Sequence, residues 1–301
     1  MYSYKSYGLI FASEFEIPEL KPVDGVPDVV IRIGVVPRNQ NHNADEKQSF
    51  QATSKEFLLW QKDIADFYVQ NGSEITLEPH MEDIHAPEIR LLLLGSVFGA
   101  LLQQRGFLVL HGACVAIKGK GILLTGVSGA GKSTLAAFLH KKGYAVLTDD
   151  VCAVTIGTDG RPYINPGFPN LKLWQDSAEK LGASIGGLEP VMQSRKKYRI
   201  GIQHYYGSDH IAFNEIYVLD VHDEDTIKIE PVSGIDTLDT LIKNTYRYCF
   251  LQEQGLKSRH FKMCTSVAGK ISVYHIWRPK EGFMIDELAE AVEKNVCNSI
   301  C

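Results

Sequence analysis

Short strand-like runs dominate the first part of the chain, and a mixture of strands and helices follows. Val29-Val30-Ile31-Arg32-Ile33 and Phe57-Leu58-Leu59-Trp60 are rich in β-branched and aromatic residues. Phe67-Tyr68-Val69-Gln70 and Glu74-Ile75-Thr76-Leu77 flank Asn71-Gly72, a two-residue hairpin signal. The polar run Asn39 to Lys47 reads as a loop between strands. The pattern becomes helical from Glu88 to Gln104, with Gly106 as its stop. Its apolar heart, Leu91 to Leu102, is too short to span a bilayer and contains Gly95 and Gly99, so it reads as a buried helix. Strands are expected at Phe107 to Leu110, Cys114 to Ile117, Gly121 to Thr125, Tyr144 to Leu147 and Ile216 to Leu219. A turn at Lys118-Gly119-Lys120 joins the second and third of these, and a hairpin over Val151 to Ile164 turns near Gly157 and Asp159-Gly160. Helices are expected at Leu171 to Leu181, Ser233 to Phe250 and Phe283 to Val296; in the last, Met284, Leu288, Ala291, Val292 and Val296 share a face. No period of 20–50 residues recurs. The pattern predicts an α/β chain with a small β-rich module over 1–85 and a larger domain over 86–301.

One stretch changes this outline into a chemical expectation. Gly126-Val127-Ser128-Gly129-Ala130-Gly131-Lys132-Ser133-Thr134 fits G-x-x-x-x-G-K-S, the phosphate-binding P-loop, between the apolar run Ile122-Leu123-Leu124 and a helix starting near Leu135. The glycines permit backbone dihedrals that bring N–H groups onto a polyphosphate. Gly126, Ser128, Gly129, Ala130, Gly131, Lys132, Ser133 and Thr134 are therefore the candidate nucleotide-binding residues. Lys132 would reach the β/γ-phosphates and Ser133 would ligate Mg²⁺. The expected strand Tyr144 to Leu147 ends in Thr148-Asp149-Asp150, where paired carboxylates could serve a metal and a proton. Neighbours on a strand point to opposite faces, so both address one centre only if the strand breaks there. The densest basic run, Gln193 to Arg199, places Arg195, Lys196, Lys197 and Arg199 as candidates for phosphate or substrate contacts, against the plainer reading of a solvated loop.

Composition narrows the partners. With 301 residues and a formal net charge of -5, nucleic-acid binding is not the expected business of the chain. No apolar segment follows Met1, so neither a signal peptide nor a membrane anchor is expected. The six cysteines form no C-x-x-C pair and fit reduced thiols in a cytoplasmic protein; Cys297 and Cys301 are expected to fray at the terminus.

The chain shows no N-K-x-D motif of Ras-like GTPases, no L-S-G-G-Q signature of transporter ATPases, and no H-R-D or D-F-G of protein kinases. What it has, in order, is His111-Gly112, a hairpin, the P-loop and its helix, Gly143-Tyr144 and Asp149-Asp150. This order resembles the C-terminal catalytic domain of HPr kinase/phosphorylase, with PEP carboxykinase as a distant relative. The resemblance covers about residues 107–153, with an echo at Phe213 to Leu219. It implies a P-loop core of that type and an ATP- and Mg²⁺-dependent serine kinase. In that scheme one aspartate joins Ser133 on the metal and the other is the base, Asp150 being favoured as base and Asp149 as metal ligand; His111 lies beside both carboxylates, where it could orient one or contact the transferred phosphate. Thr134 stands where the bifunctional enzymes carry Glu, and their second signature region is absent, which favours kinase over phosphorylase activity. The whole chain is more similar to the HPr-kinase-like proteins of lasso-peptide clusters. That resemblance implies a peptide or protein substrate, specifically the C-terminal serine of a precursor peptide. Homo-oligomers are common in the lineage. HPr, a small hydroxyl compound, or a non-catalytic nucleotide-dependent regulatory role are the alternatives.

Overall fold

The structure, a computed structural model, describes residues 1–38, 48–168, 170–182, 190–192, 195–201, 210–253 and 255–298. The polar run Asn39 to Lys47 lies outside the described residues. The architecture is mixed α/β, with three sheets.

Eight strands between Tyr2 and Pro79 form one sheet, in which Val29–Ile33 runs parallel to both Leu9–Ser13 and Glu74–Pro79. The aromatic and branched residues seen in the sequence turn one way: Phe57, Leu59, Phe67, Val69, Ile75 and Leu77 are all buried in one core. Asn71 and Gly72 both take positive φ, 51° and 63°, as their residue types allow. Gln70 pairs with Glu74, however, so the loop has three residues instead of the expected two. Ser73 N donates to Gln70 O at 2.9 Å and closes the turn one residue before the ladder resumes.

The helical run over 87–104 packs on this sheet. It consists of Pro87–Leu92, a π-helical turn Leu93–Val97, and Phe98–Gln104. Phe98 stacks on Phe11 with ring centres 4.6 Å apart, and Arg90 Nε donates to Glu19 Oε1 at 2.8 Å. The Arg90 and Glu19 side chains are only 6% and 3% exposed, so this pair works in a low-dielectric setting. Glu19→Ala should therefore cost about 3–5 kcal/mol by leaving a guanidinium buried without its carboxylate. The urea midpoint would report it, and Glu19→Leu combined with Arg90→Met should recover most of the loss. A single-variant loss below about 1 kcal/mol would contradict the buried-pair description.

The second sheet carries the glycine-rich loop Gly126 to Gly131. Lys120–Gly126 lies between Ala113–Ile117, which is antiparallel to it, and Ile211–His222, which is parallel; Ser272–Pro279 adds a further parallel strand. Ala145–Thr148 pairs antiparallel with Ala113–Ile117 and so runs in the same direction as the loop strand. The N-terminal end of Ile211–His222 also pairs with Pro162–Asn165, which leads through Val151–Ile156 to Leu108–His111. Lys132–Lys141 and Ile285–Asn298 cover one face, burying Leu135, Leu139, Leu288 and Val292 together. Leu241, Cys264 and Val267 belong to the separate cluster containing Ile216 and Val273.

Several sequence expectations are corrected. Leu171 to Leu181 is not one helix: Asn170–Trp174 is a strand and only Gln175–Lys180 is helical. The basic run is not a loop where described, since Arg195–Gly201 is a strand between Asn170–Trp174 and Pro190–Met192; Gln193 and Ser194 lie outside the described residues. Ser233 to Phe250 is interrupted: helices Ile235–Lys243 and Tyr248–Glu253 are separated at Asn244–Arg247, where Arg247 has φ 49°. Cys297 sits within the last helix and accepts from Lys118 Nζ at 2.9 Å, so it is not frayed; Cys301 lies outside the described residues. Among the described residues, no helix is long and apolar enough to cross a membrane.

Candidate functional site

The glycine-rich loop joins the end of Lys120–Gly126 to the helix Lys132–Lys141. Gly126, Gly129 and Gly131 have φ of 131°, 88° and 104°, a region L side chains rarely enter. At Gly126 the close approach is also absolute, since a Cβ would lie 2.2 Å from Leu219 O on the neighbouring strand. Val127, Ser128 and Gly129 are exposed, Ala130 is buried, and Ser133 and Thr134 open the helix half-buried. Lys132 Nζ donates to Gly126 O at 2.9 Å and Val127 O at 3.0 Å, which holds the ammonium inside the loop.

The paired aspartates lie in the break between Ala145–Thr148 and Val151–Ile156. Asp150 has φ 72°, a conformation Asp tolerates better than most residues. That break removes the opposite-face constraint, and both carboxylates approach one region. Ser133 Oγ donates to Asp149 Oδ1 at 3.0 Å, while Asp149 Oδ2 accepts from the Lys172 backbone N–H at 2.9 Å. Asp150 Oδ2 accepts from Lys172 Nζ at 2.5 Å. Lys172 thus anchors one aspartate with its main chain and the other with its ammonium. Burial alone disfavours that ammonium, but the Asp150 carboxylate outweighs it and the net effect raises the Lys172 pKa.

His111 ends its strand beside these groups. Its Nδ1 lies 3.1 Å from the Asp150 carbonyl oxygen, which can only accept; the neutral ring therefore carries its proton on Nδ1 and leaves Nε2 unprotonated. Burial holds its pKa below the usual imidazole value, with the Asp150 carboxylate opposing and Lys132 assisting. Burial lowers His260 likewise. A group with a depressed imidazole pKa is neutral in the fold while the unfolded chain still takes up protons, so stability is lost as pH falls below about 6.5. We expect Tm to fall as pH drops below about 6.5, and His111→Gln with His260→Gln to flatten that fall. A slope unchanged in the double variant would contradict neutral, buried imidazoles.

A cavity of about 1100 Å³ opens from this centre, lined by His111, Gly126, Asp150 and Lys172 at its inner end. Thr125 Oγ1 lies 2.7 Å from both His111 O and Asn244 Oδ1, and His111 N donates to Asn244 O at 2.7 Å, tying the helix break to the site. Arg278 Nε donates to Ala130 O at 3.2 Å and so brings a second cation to the loop. Of the basic candidates, Arg199 pairs in register with Lys172 and Lys197 with Trp174. For Arg195, Lys196, Lys197 and Arg199 only the backbone is described.

Lys172, Arg278 and Asn244 were not among the sequence candidates. The alternation Leu171-Lys172-Leu173 was a readable strand signal, as was the β-rich run Val273 to Trp277. Asn244 had no such signal, because no Gly or Pro marks the interruption.

The hard oxygens of Ser133 and Asp149 suit Mg²⁺, which usually takes one or two protein carboxylates with water and substrate phosphates. Among the described residues, no group of three or more His, Cys, Asp or Glu side chains converges to hold a metal by itself.

Residues 106–161 match the family model of the HPr Serine kinase C-terminal domain. Over 41 residues the chain is 51% identical to the HPr kinase/phosphorylase of Lactobacillus acidophilus and 54% identical to that of Clostridium botulinum, covering 14% of this chain in each case. The matched stretch spans 13% and 14% of those relatives' own lengths. The structure of the Hpr(Ser) kinase/phosphatase from Coxiella burnetii aligns with 64% of this chain and 89% of its own, at 12% identity and a TM-score of 0.32.

Proposed function

We propose that this protein is an ATP-dependent phosphotransferase that moves the γ-phosphoryl group to a serine hydroxyl, most specifically the C-terminal serine of a lasso precursor peptide. The observation that carries the reading is the Ser133–Asp149 contact at the head of the loop helix, with Asp150 beside it on the wall of a large cavity. In this scheme residues 86–301 form the catalytic domain and 1–85 a small β-rich module against it. The backbone amides from Gly126 to Thr134 and the Lys132 ammonium bind the donor phosphates. Ser133 and Asp149 would hold Mg²⁺, which when bound neutralises charge on the β- and γ-oxygens. Asp150, held by Lys172, orients the acceptor hydroxyl and takes its proton as the oxygen attacks phosphorus in line and the bond to the β-phosphate oxygen breaks, releasing ADP. Phosphoryl transfer passes through a loose transition state, so positioning matters more than base strength, and an ion-paired carboxylate suffices. Neutral His111 holds the Asp150 backbone through Nδ1 and presents no positive charge to compete with Lys172 for the carboxylate.

Mass spectrometry of serine-terminated peptides incubated with the protein, Mg²⁺ and ATP tests this directly. A gain of about 80 Da, one phosphoryl group, is expected on the terminal serine. ATP consumption with no modified peptide would redirect the assignment to HPr or a small hydroxyl acceptor. An unchanged nucleotide pool in the presence of all three acceptor types would overturn the kinase reading.

A further inference from the structure

The cavity extends well beyond the reacting groups, and its outer part is built from two regions that the phosphate chemistry does not use. Part of its lining is apolar: Ile64 from the turn before Ala65–Gln70, with Leu91 and Leu92 from the first helix, beside the polar Gln61, Glu88 and Ser96. The connection Asn244–Arg247 between two helices also lines it. At about 1100 Å³ the space is at the top of the range for small-molecule sites and has room for several residues of a peptide.

Arg247 is the unusual residue of that connection. Its φ of 49° lies in the left-handed region, which a bulky non-glycine residue enters only when its surroundings force it. Here they do so from the preceding residue. Tyr246 N donates to Val109 O at 2.9 Å, and Tyr246 O accepts from Gln103 Nε2 at 2.8 Å. The Tyr246 ring lies against Gly95 and Gly99, where a Cβ on Gly99 would come within 2.8 Å of it. With Tyr246 held on three sides, the chain must turn at Arg247 to begin Tyr248–Glu253. The guanidinium rests 6.0 Å from the ring centres of both Tyr246 and Phe250.

The charges around it sharpen the point. Lys172 is engaged by Asp150, and Lys243 by Asp239 at 2.6 Å. Arg247, by contrast, meets no carboxylate among the described residues. It is an exposed guanidinium on the rim of a catalytic cavity, with its backbone strained and its ring supports in place. A planar fork of N–H donors in that setting suits a carboxylate, which it can bind through two parallel hydrogen bonds.

We propose that Arg247 binds a carboxylate of the acceptor, while Ile64, Leu91 and Leu92 take an apolar side chain next to the acceptor hydroxyl. The inference rests on the kinase reading of the site and adds to it how the acceptor is chosen. The Asn244 carbonyl holds His111 while Arg247 lies three residues further on, so one short connection sets the spacing between the carboxylate and the reacting centre. The amino-terminal sheet and first helix then act as a specificity wall.

The test uses two short peptides ending in leucyl-serine, one with a free carboxylate and one amidated, against the native protein, Arg247→Gln and Arg247→Lys. For the native protein KM should be roughly tenfold or more lower for the acid, the effect of one charge-assisted pair, with kcat nearly equal. Arg247→Gln should raise KM for the acid to the level of the amide, and Arg247→Lys should recover part of the difference. Equal KM for acid and amide in the native protein, with transfer intact, overturns this inference and leaves the kinase reading standing. Titration of fluorescent forms of both peptides, without nucleotide, separates the two ideas. Acid-selective binding with no transfer upholds the carboxylate site and overturns the kinase; neither binding nor transfer overturns both.

Discussion

Replacing Lys132 with alanine is expected to reduce phosphoryl transfer by about 10³-fold or more while leaving the fold intact. The ammonium lies inside the loop on the carbonyls of Gly126 and Val127, where the transferred phosphate's charge would develop. A water-filled gap cannot supply that charge, because water reorganises at the moment of reaction while a fixed ammonium does not. Little stability should be lost, since the lysine is half-buried and Val127, whose carbonyl it meets, is exposed. Single-turnover transfer and a urea titration on the same preparation separate the effects. A rate within tenfold of native would remove Lys132 from the chemistry.

Replacing Lys172 should damage both chemistry and stability. In Lys172→Met the Asp150 carboxylate loses the ammonium 2.5 Å away, in a pair whose side chains are 10% and 26% exposed. Removing one partner of a buried pair costs about 3–5 kcal/mol, and the partial exposure of Asp150 places this case near 3 kcal/mol. Transfer should drop as well, because Asp150 loses the contact with Lys172 that fixes its orientation. Adding Asp150→Asn to Lys172→Met removes the charge that lost this contact and should restore most of the stability without restoring transfer. Two outcomes would show that the pair does not hold the site: native-like turnover in Lys172→Met, or a double variant no more stable than the single one.

The site was partly legible because its first half is local. Gly126 to Thr134 announces a strand–loop–helix turn through glycines that relax the same few backbone dihedrals the turn requires, and the structure gives Gly126, Gly129 and Gly131 those dihedrals. The Asp149-Asp150 pair was visible as a strand end; alternation showed only that a break would be needed for both carboxylates to approach one region, and the structure supplies that break. Lys172 was lost to a mistaken period. Leu171, Leu173 and the polar residues after them match a helix over eleven positions, yet the first four of these belong to a strand, Asn170–Trp174, that pairs with Arg195–Gly201. The short alternation Leu171-Lys172-Leu173 could not by itself outweigh that helical match; pairing with a strand more than twenty residues away decided it.

The same distinction separates what the chain's residue order determined from what only the tertiary structure decided. Residue order determined the glycine-rich loop, the alternating strands before Pro79, the helical run over 87–104 and the position of the two aspartates. Each is set by dihedral preferences or a repeat of two or 3.6 residues, which act over a few neighbours. The fold alone decided that Lys172 would clamp Asp150 and that Arg278 would reach Ala130 from 148 residues away. It also decided that Asn244 would interrupt a helix and hold His111, and that Arg247, at the mouth of the cavity, meets no carboxylate among the described residues. These are charges and carbonyls brought together by strand register and helix packing. Their energies depend on burial and a few ångströms of separation, which exist only once the sheets and helices have met.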